Sequence, residues 1–305
     1  YEISVFAQPG GTLRMIAQAP TGDVLVSDMN GGRVLRLVDR DGDGVAEQVT
    51  PLLSGLAMPH GLAFAGDALF VAESHRILRL DAWDDPRTAR EIIQLPDTNE
   101  TGRNPNHKTR TLAMGPDERL YVSIGSYCDA CVETDDRRAA IWRYNLDGTN
   151  GELVASGLRN AVGMAFEPGA SRLWVTENGS NGLGEDLPPD EIDVIDAEGP
   201  AEHFGWPFCY GKGIVQPPLG SPEQCAQSAG AVLELPPHIA PLGLTFIAGA
   251  SFPTEQHGDL LVAMHGSALR QNPVGYSLMR VPMRDGLPEP PVEFLRGWLV
   301  GDDSW

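Results

Sequence analysis

The chain has 305 residues with 35 glycines and 25 prolines, and only 21% of its residues are charged. This composition favours many short strands joined by turns over long helices. The net charge of −20 argues against nucleic acid or an anionic membrane surface as a partner, because phosphate binding needs a basic face. No apolar run reaches the roughly 18 residues of a membrane span, so we expect no membrane insertion.

A unit of three apolar runs recurs along the chain. The first runs begin near residues 15, 61, 111, 163 and 243. A turn with Gly or Asp and a second run follow, as in APTGDVLVSD, AGDALFVAE and EPGASRLWVTE, and then a third run such as RVLRLVD or RILRLDA. Four-stranded units of about 40–50 residues are typical of a β-propeller. The longer last interval indicates an insertion over residues 177–240.

We therefore predict an all-β protein, a six-bladed β-propeller that forms one domain over residues 1–305. Only five repeats are present, so we expect the last blade to be incomplete within these residues. A complete five-bladed ring is the alternative. Residues 1–6 (YEISVF) are predicted to form a strand that completes the last blade, which would remove an exposed sheet edge.

The four cysteines form two local pairs, Cys128 with Cys131 and Cys209 with Cys225. A zinc ribbon would need a second closely spaced pair, and a thioredoxin-type redox pair would need a βαβ setting; neither is present. We predict two structural disulfides and hence a periplasmic or secreted protein.

An acidic segment, DRDGDGVAE, is a candidate metal site. Its alternating Asp39, Asp41 and Asp43 with Gly44 resemble the start of a calcium-binding loop, but Thr50 stands where the bidentate glutamate is expected. A solvated hairpin tip is an equally good interpretation.

Polar residues recur just ahead of the first strand in four of the five repeats. Because that strand lines the channel of a propeller, these residues should meet at the channel mouth. They are Arg14, His60, His107, Arg110, Arg159 and Asn160. Any single one could be a solvated loop residue, but their recurrence favours a cationic pocket for an anionic ligand. A neutral histidine beside such a ligand can accept a proton.

Five motifs together resemble one family. HKTRTLAMGPDERLYVSIGS, SGLRNAVGMAF, ENGSNGLGEDLPPDEIDVI, HFGWPFCYG and LLVAMHGSALR occur in this order, and they resemble the soluble quinoprotein sugar dehydrogenases, in particular the sorbosone dehydrogenase-like branch. The resemblance implies a six-bladed propeller with pyrroloquinoline quinone (PQQ) and Ca²⁺ in its axial pocket. It also implies oxidation of a sugar or sugar-derived aldehyde and an external electron acceptor. We expect a monomer.

The resemblance implies roles for individual residues. His107 matches the general base, and Arg159 and Asn160 match residues that contact the cofactor and the reacting oxygen. Further cofactor contacts are implied at Asn178, His265 and Arg270, and the repeat adds Arg14 and Arg110 to this set. The backbone carbonyls of Gly179 and Ser180 match the calcium ligands.

Two other classes of function remain open. A calcium-dependent propeller hydrolase, such as a lactonase or phosphotriesterase, would bring carboxylates and asparagines to an axial metal, whereas this chain brings mainly histidine and arginine. A non-catalytic propeller would keep the fold without the cofactor.

Overall fold

The computed structural model describes residues 3–96, 107–267 and 269–299. Its described part contains five large sheets, each with four antiparallel strands in meander order, and two small two-stranded hairpins. One of the large sheets has a short fifth strand that pairs in parallel. Each of the five recurring first runs forms the first strand of a sheet. The prediction of an all-β propeller is therefore confirmed, with five blades among the described residues.

Blades 1 and 2 are regular meanders. Blade 1 consists of β1 (Leu13–Gln18), β2 (Val24–Asp28), β3 (Arg33–Val38) and β4 (Gln48–Ser54). Blade 2 consists of β5 (Leu62–Ala65), β6 (Ala68–Ala72), β7 (Arg76–Leu80) and β8 (Arg90–Gln94), with a 3₁₀ helix at Pro86–Thr88.

Blade 3 consists of β9 (Arg110–Met114), β10 (Leu120–Ile124), β11 (Ala140–Tyr144) and β12 (Glu152–Ser156).

Blade 4 carries an inserted segment between its third and fourth strands. Blade 4 begins with β13 (Ala161–Phe166), β14 (Arg172–Glu177) and β15 (Asp190–Asp196). The insertion contains β16 (Glu202–His203), β17 (Cys209–Tyr210), β18 (Ile214–Val215) and helix α1 (Pro222–Cys225), and β19 (Leu233–Leu235) completes the blade.

Blade 5 has a small hairpin attached to its outer strands. It consists of β20 (Pro241–Phe246), β21 (Leu260–Met264), β22 (Ser277–Val281), the hairpin β23 (Met283–Arg284) and β24 (Leu287–Pro288), and β25 (Val292–Arg296), with a 3₁₀ helix at Thr254–Gln256. No helix among the described residues has the length and apolar character that a bilayer span requires.

The hydrophobic core lies between successive blades. One apolar cluster joins blades 1 and 2, and further clusters join blades 2 and 3, 3 and 4, and 4 and 5. The second strands β6 and β10 are buried along their whole length. They read as continuous apolar runs because neighbouring blades cover both of their faces, as expected for a strand without a solvent side.

The first strands of successive blades pack side by side, β1 on β5, β5 on β9, β9 on β13 and β13 on β20. Polar contacts reinforce this inner layer. Gly61 N–H donates to the Arg110 carbonyl at 2.9 Å, and the Thr176 hydroxyl donates to the Leu242 carbonyl at 2.7 Å. The segments that enter these strands are thereby brought together at one end.

The predicted strand over residues 1–6 is not formed in its described part. Residues 3–10 have no regular secondary structure, and residues 1 and 2 lie outside the described residues. Phe6 packs with Val26 and Leu35 of blade 1, and its carbonyl accepts the Ala46 N–H at 2.8 Å. The prediction was wrong because the apolar side chain of Phe6 is accommodated on blade 1 without a strand partner.

Both predicted disulfides are present. Cys128–Cys131 closes a short loop between β10 and β11. Cys209–Cys225 joins β17 to α1 within the insertion. The sequence reasoning from local pairing is confirmed.

Candidate functional site

A cavity of about 370 Å³ opens where the ends of blades 3, 4 and 5 meet. Six of the predicted site residues line it: His107, Arg159, Asn160, Asn178, Gly179 and His265. An adjoining cavity of about 320 Å³ shares four of these residues and continues to Arg14 and Lys108. The structure thus brings predicted site residues from four separate segments of the chain to one cavity.

Buried carboxylates hold the segments that enter the inner strands. In blades 1, 2 and 4, a carboxylate at the end of the second strand accepts the backbone N–H of a residue ahead of the first strand. The acceptor and donor pairs are Asp28 with Thr12, Glu73 with Ala57, and Glu177 with Asn160. The corresponding positions of blades 3 and 5 are Ile124 and Met264. Burial raises the pKa of Glu177 well above its ordinary value.

His107 lies against the loop that follows β10. Its Nδ1 is 2.9 Å from the Ser126 hydroxyl and 3.1 Å from the Ser126 carbonyl. The Ser126 hydroxyl donates its only hydrogen to the Cys128 carbonyl at 2.6 Å, so Nδ1 must be the donor in its own contacts. This tautomer leaves Nε2 of His107 with the lone pair that can accept a proton.

Gly125 allows the close approach of His107. A Cβ atom at position 125 would lie 2.5 Å from the Cβ of His107 and 3.0 Å from Oδ1 of Asn160. Any side chain there would push the histidine out of place, so the glycine of the SIGS segment is required by the geometry of the site.

The His107 imidazole is neutral. Burial, and then the positive charge of Arg159, lower its pKa to about 3. A histidine in this state is protonated neither at neutral nor at mildly acidic pH, so its ring keeps a free lone pair in both.

Arg159 is only 3% exposed, and three of the five N–H groups of its guanidinium are bonded from behind. Nη2 pairs with Asp129 Oδ1 at 2.6 Å, Nε donates to the Asp129 carbonyl at 2.9 Å, and Nη1 donates to the Asn178 carbonyl at 3.0 Å. The adjacent Asn160 donates from Nδ2 to Oδ1 of Asn178 at 3.2 Å. The two residues are thus fixed to the segment that follows β14.

That segment, residues 178–182, is itself anchored at several points. Asn178 donates to the Pro241 carbonyl at 2.8 Å, and Gly179 N–H donates to Asp190 Oδ1 at 2.8 Å. The Ser180 side chain is fully buried, and its hydroxyl donates to Asp129 Oδ2 at 2.9 Å. Ser180 therefore lies behind the cavity wall that Gly179 forms.

Arg110 does not line the cavity, contrary to the prediction, and neither does His60. Arg110 is fully buried, and its Nη1 donates to the His107 and Thr109 carbonyls, each at 3.0 Å. His60 is also buried, with Nδ1 3.2 Å from the Arg110 carbonyl. Neither side chain lines the cavity, because both are turned into the layer between blades. Arg110 instead shapes the segment that carries His107.

Arg270 and the acidic hairpin also lie apart from the cavity lining. Arg270 donates to the Glu185 carbonyl at 3.0 Å and pairs with Asp186 at 3.2 Å, so it braces a rim loop. At the β3–β4 turn, one carboxylate oxygen from each acidic residue lies within 4.8 Å of the others. These residues are Asp39, Asp41, Asp43 and Glu47. A cation there stays a prediction.

Sequence reasoning missed three residues of this site. Asp129 and Asp190 hold the cavity wall, and His238 lines the cavity with its Nε2 2.8 Å from the Gly184 carbonyl. A signal existed for the carboxylates of the repeat, since VSD, VAE and VTE close the second strands. No repeat position marks Asp129, which lies inside the Cys128–Cys131 loop.

A family model described as TrAA12-like matches residues 1–217 and 218–294. The chain belongs to the TrAA12-like family. A pyrroloquinoline quinone-dependent sugar dehydrogenase of Hypocrea jecorina is 28% identical over 65% of this chain and 53% of its own length. A pyrroloquinoline quinone-dependent pyranose dehydrogenase of Coprinopsis cinerea is 31% identical over 86% of this chain and 41% of its own length. The chain thus spans about half the length of these relatives, or less.

A solved structure supports the same fold. The calcium structure of Trichoderma reesei carbohydrate-active enzyme family AA12 superposes with a TM-score of 0.76. The match covers 95% of this chain and 82% of the other, at 24% identity. A likeness of this kind establishes the propeller architecture.

The protonation state of His107 can be measured directly. In the cofactor-free protein, the ring nitrogen chemical shifts of His107 should remain those of a neutral imidazole from about pH 8 down to about pH 5, because its pKa is lowered to about 3. A His107 midpoint near ~6.5, the ordinary value for a histidine side chain, would contradict the geometry described here.

Proposed function

We propose that the protein is a quinoprotein oxidoreductase that uses PQQ and Ca²⁺ to oxidise a sugar or a sugar-derived aldehyde of the aldose or sorbosone type. The observation that carries this proposal is a neutral, tautomer-fixed His107 beside Arg159 and Asn160 in an axial cavity. The named activities of the fungal relatives give independent support.

The cavity residues fit PQQ. This cofactor is a planar tricarboxylate, so it needs cationic and N–H donors around its rim. Arg14 and Lys108 line one part of the cavity, and the Asn160 and Asn178 amides line both parts. The cavity volume also falls in the usual range of about 300–1,000 Å³ for ligand sites.

The segment after β14 fits calcium, which prefers hard oxygen ligands. The N–H groups of Gly179 and Asn181 are already bonded to the carboxylates of Asp190 and Asp129. This arrangement leaves the Gly179 and Ser180 carbonyls as the groups of the segment that could hold a cation. The Asp39–Asp43 hairpin is a second, separate candidate for calcium.

The chain's own groups account for the proton chemistry. His107 would accept the proton of the substrate hydroxyl at Nε2, while Ser126 holds Nδ1 and keeps the ring oriented. Arg159 and Asn160 would donate hydrogen bonds to the reacting oxygen. When bound, PQQ would supply the hydride acceptor, and calcium would polarise its quinone carbonyl.

We further propose that the protein works outside the cytoplasm, in the periplasm or as a secreted protein, as a monomer that passes electrons to an external acceptor. Both disulfides favour an oxidising compartment.

A sixth blade between blades 5 and 1 is also part of the proposal. Ile16 lies opposite Val26 in the β1–β2 register, on the face of blade 1 that points away from blade 2, and it is 72% exposed. At the other edge, an apolar groove on blade 5 is lined by Met264, Tyr276 and the half-exposed Trp298. Two apolar edges at the ends of an open ring favour a missing blade between them.

Truncation of Ile16 tests the sixth blade. In the full-length protein, Ile16→Ala should lower the free energy of unfolding by about 2–5 kcal/mol if a sixth blade covers this side chain. Leu287→Ala, at a position 62% exposed on β24, is the matched control and should change it by less than about 0.5 kcal/mol. If chemical denaturation showed equally small changes in the free energy of unfolding for both substitutions, a sixth blade would not cover Ile16 on blade 1.

Substitution of His107 tests the mechanism. In the full-length protein reconstituted with PQQ and Ca²⁺, His107→Ala should lower kcat by about 10²–10⁴-fold, because general base catalysis is lost. PQQ affinity should be retained, since the arginine and amide contacts remain. The measurement is sugar-dependent reduction of an artificial electron acceptor.

The matched control is His257→Ala, which removes an exposed imidazole whose Nε2 lies 3.1 Å from the Gly249 carbonyl and 3.2 Å from the Phe252 carbonyl. It should keep kcat within about twofold of the parent. Near-normal turnover of His107→Ala on every sugar that the parent oxidises would remove His107 from the mechanism.

A further inference from the structure

The Cys128–Cys131 loop contacts both halves of the proposed site. Inside the loop, Asp129 uses its carboxylate and its backbone carbonyl as acceptors. On the side of the base, the Cys128 carbonyl accepts the hydrogen bond from the Ser126 hydroxyl, which in turn contacts His107. The short disulfide loop is thus the common support of His107 and Arg159.

Asp129 is the centre of this support. Its carboxylate accepts from Arg159 Nη2 at 2.6 Å, from the Ser180 hydroxyl at 2.9 Å and from the Asn181 N–H at 2.9 Å. Its carbonyl accepts from Arg159 Nε at 2.9 Å and from Trp206 Nε1 at 3.0 Å. Partners separated by 30 to 77 positions in the chain therefore converge on one residue.

These contacts are made behind the cavity wall. Arg159 is 3% exposed, and Ser180 and Trp206 are buried. The Asp129 side chain keeps 35% of its surface exposed, but the guanidinium on the other side of the pair is buried, so loss of Asp129 leaves a buried charge short of an acceptor. The direction in which Arg159 faces the cavity is consequently set by Asp129.

We propose that Asp129 is a positioning residue, held in place by the Cys128–Cys131 disulfide, that orients Arg159 and the 178–182 segment toward the bound cofactor. This inference rests on the proposed function, since it concerns the binding of PQQ. The role assigned to this disulfide goes beyond its contribution to folding stability.

The test measures PQQ affinity, by quinone absorbance, together with the unfolding midpoint of the cofactor-free, full-length protein. Asp129→Ala should weaken PQQ binding by about 10–100-fold, the value of a lost charge-assisted hydrogen bond. Asp135→Asn is the matched control. Asp135 lies in the β10–β11 connection but outside the Cys128–Cys131 loop, where it pairs with Arg137 at 2.7 Å. It lines neither part of the cavity, so its substitution should leave PQQ affinity within about twofold.

The disulfides give a second matched comparison. The double substitution Cys128→Ser with Cys131→Ser should weaken PQQ binding in the same direction as Asp129→Ala. Cys209→Ser with Cys225→Ser should lower the unfolding midpoint and leave PQQ affinity within about twofold. Combining Asp129→Ala with the Cys128 and Cys131 substitutions should weaken binding no further than Asp129→Ala alone, because both changes act through Asp129.

Unchanged affinity in Asp129→Ala, or fully additive losses in the combined variant, would overturn the positioning role while leaving the proposed function intact. Equal losses of affinity in the two disulfide variants would reduce the Cys128–Cys131 bond to a general stabiliser and overturn its part of the proposal. Absence of PQQ binding by the parent protein would overturn the proposed function and this inference with it.

Discussion

In blades 1, 2 and 4 a carboxylate at the end of the second strand accepts a backbone N–H ahead of the first strand, and the inner end of the propeller is organised by this contact. Backbone N–H groups in a buried layer must find acceptors. Asp28, Glu73 and Glu177 supply them and at the same time fix how each chain segment enters the axis. These contacts therefore fix the backbone at the base of the axial cavity, and side chains that differ from blade to blade project from it.

Blade 3 departs from this pattern, and the departure coincides with the candidate base. Ile124 stands where blades 1, 2 and 4 have a carboxylate, and Gly125 then lets the backbone pass close to His107. Ser126 replaces the carboxylate as the partner of the entering segment and fixes the imidazole tautomer. A carboxylate at this point would raise the pKa of the histidine, whereas burial and the nearby Arg159 lower that pKa and keep the ring neutral.

The repeat made the blades, the inner strands and the common location of His107, Arg159 and Asn160 predictable, because residues at one phase of a propeller must meet at one end of the axis. The other predicted residues that line the cavity, Asn178, Gly179 and His265, followed from the family resemblance. The repeat could not indicate which of two nearby residues, His107 or Arg110, faces the cavity. His107 lines it, whereas Arg110, the first residue of β9, is buried between blades. Asp129 could not be found either, since its partners lie 30 to 77 positions away. The segment at residues 3–6 misled the strand prediction because Phe6 packs on blade 1 without joining a strand, while Ile3 and Val5 are exposed.

We propose that the axial cavity binds PQQ and that the 178–182 segment binds calcium beside it. The most direct test is a calorimetric titration of PQQ into the full-length, metal-stripped protein, with and without Ca²⁺. We expect saturable binding of one PQQ per chain, with a higher affinity when Ca²⁺ is present. Binding that is absent under both conditions, or that is indifferent to Ca²⁺, would contradict it.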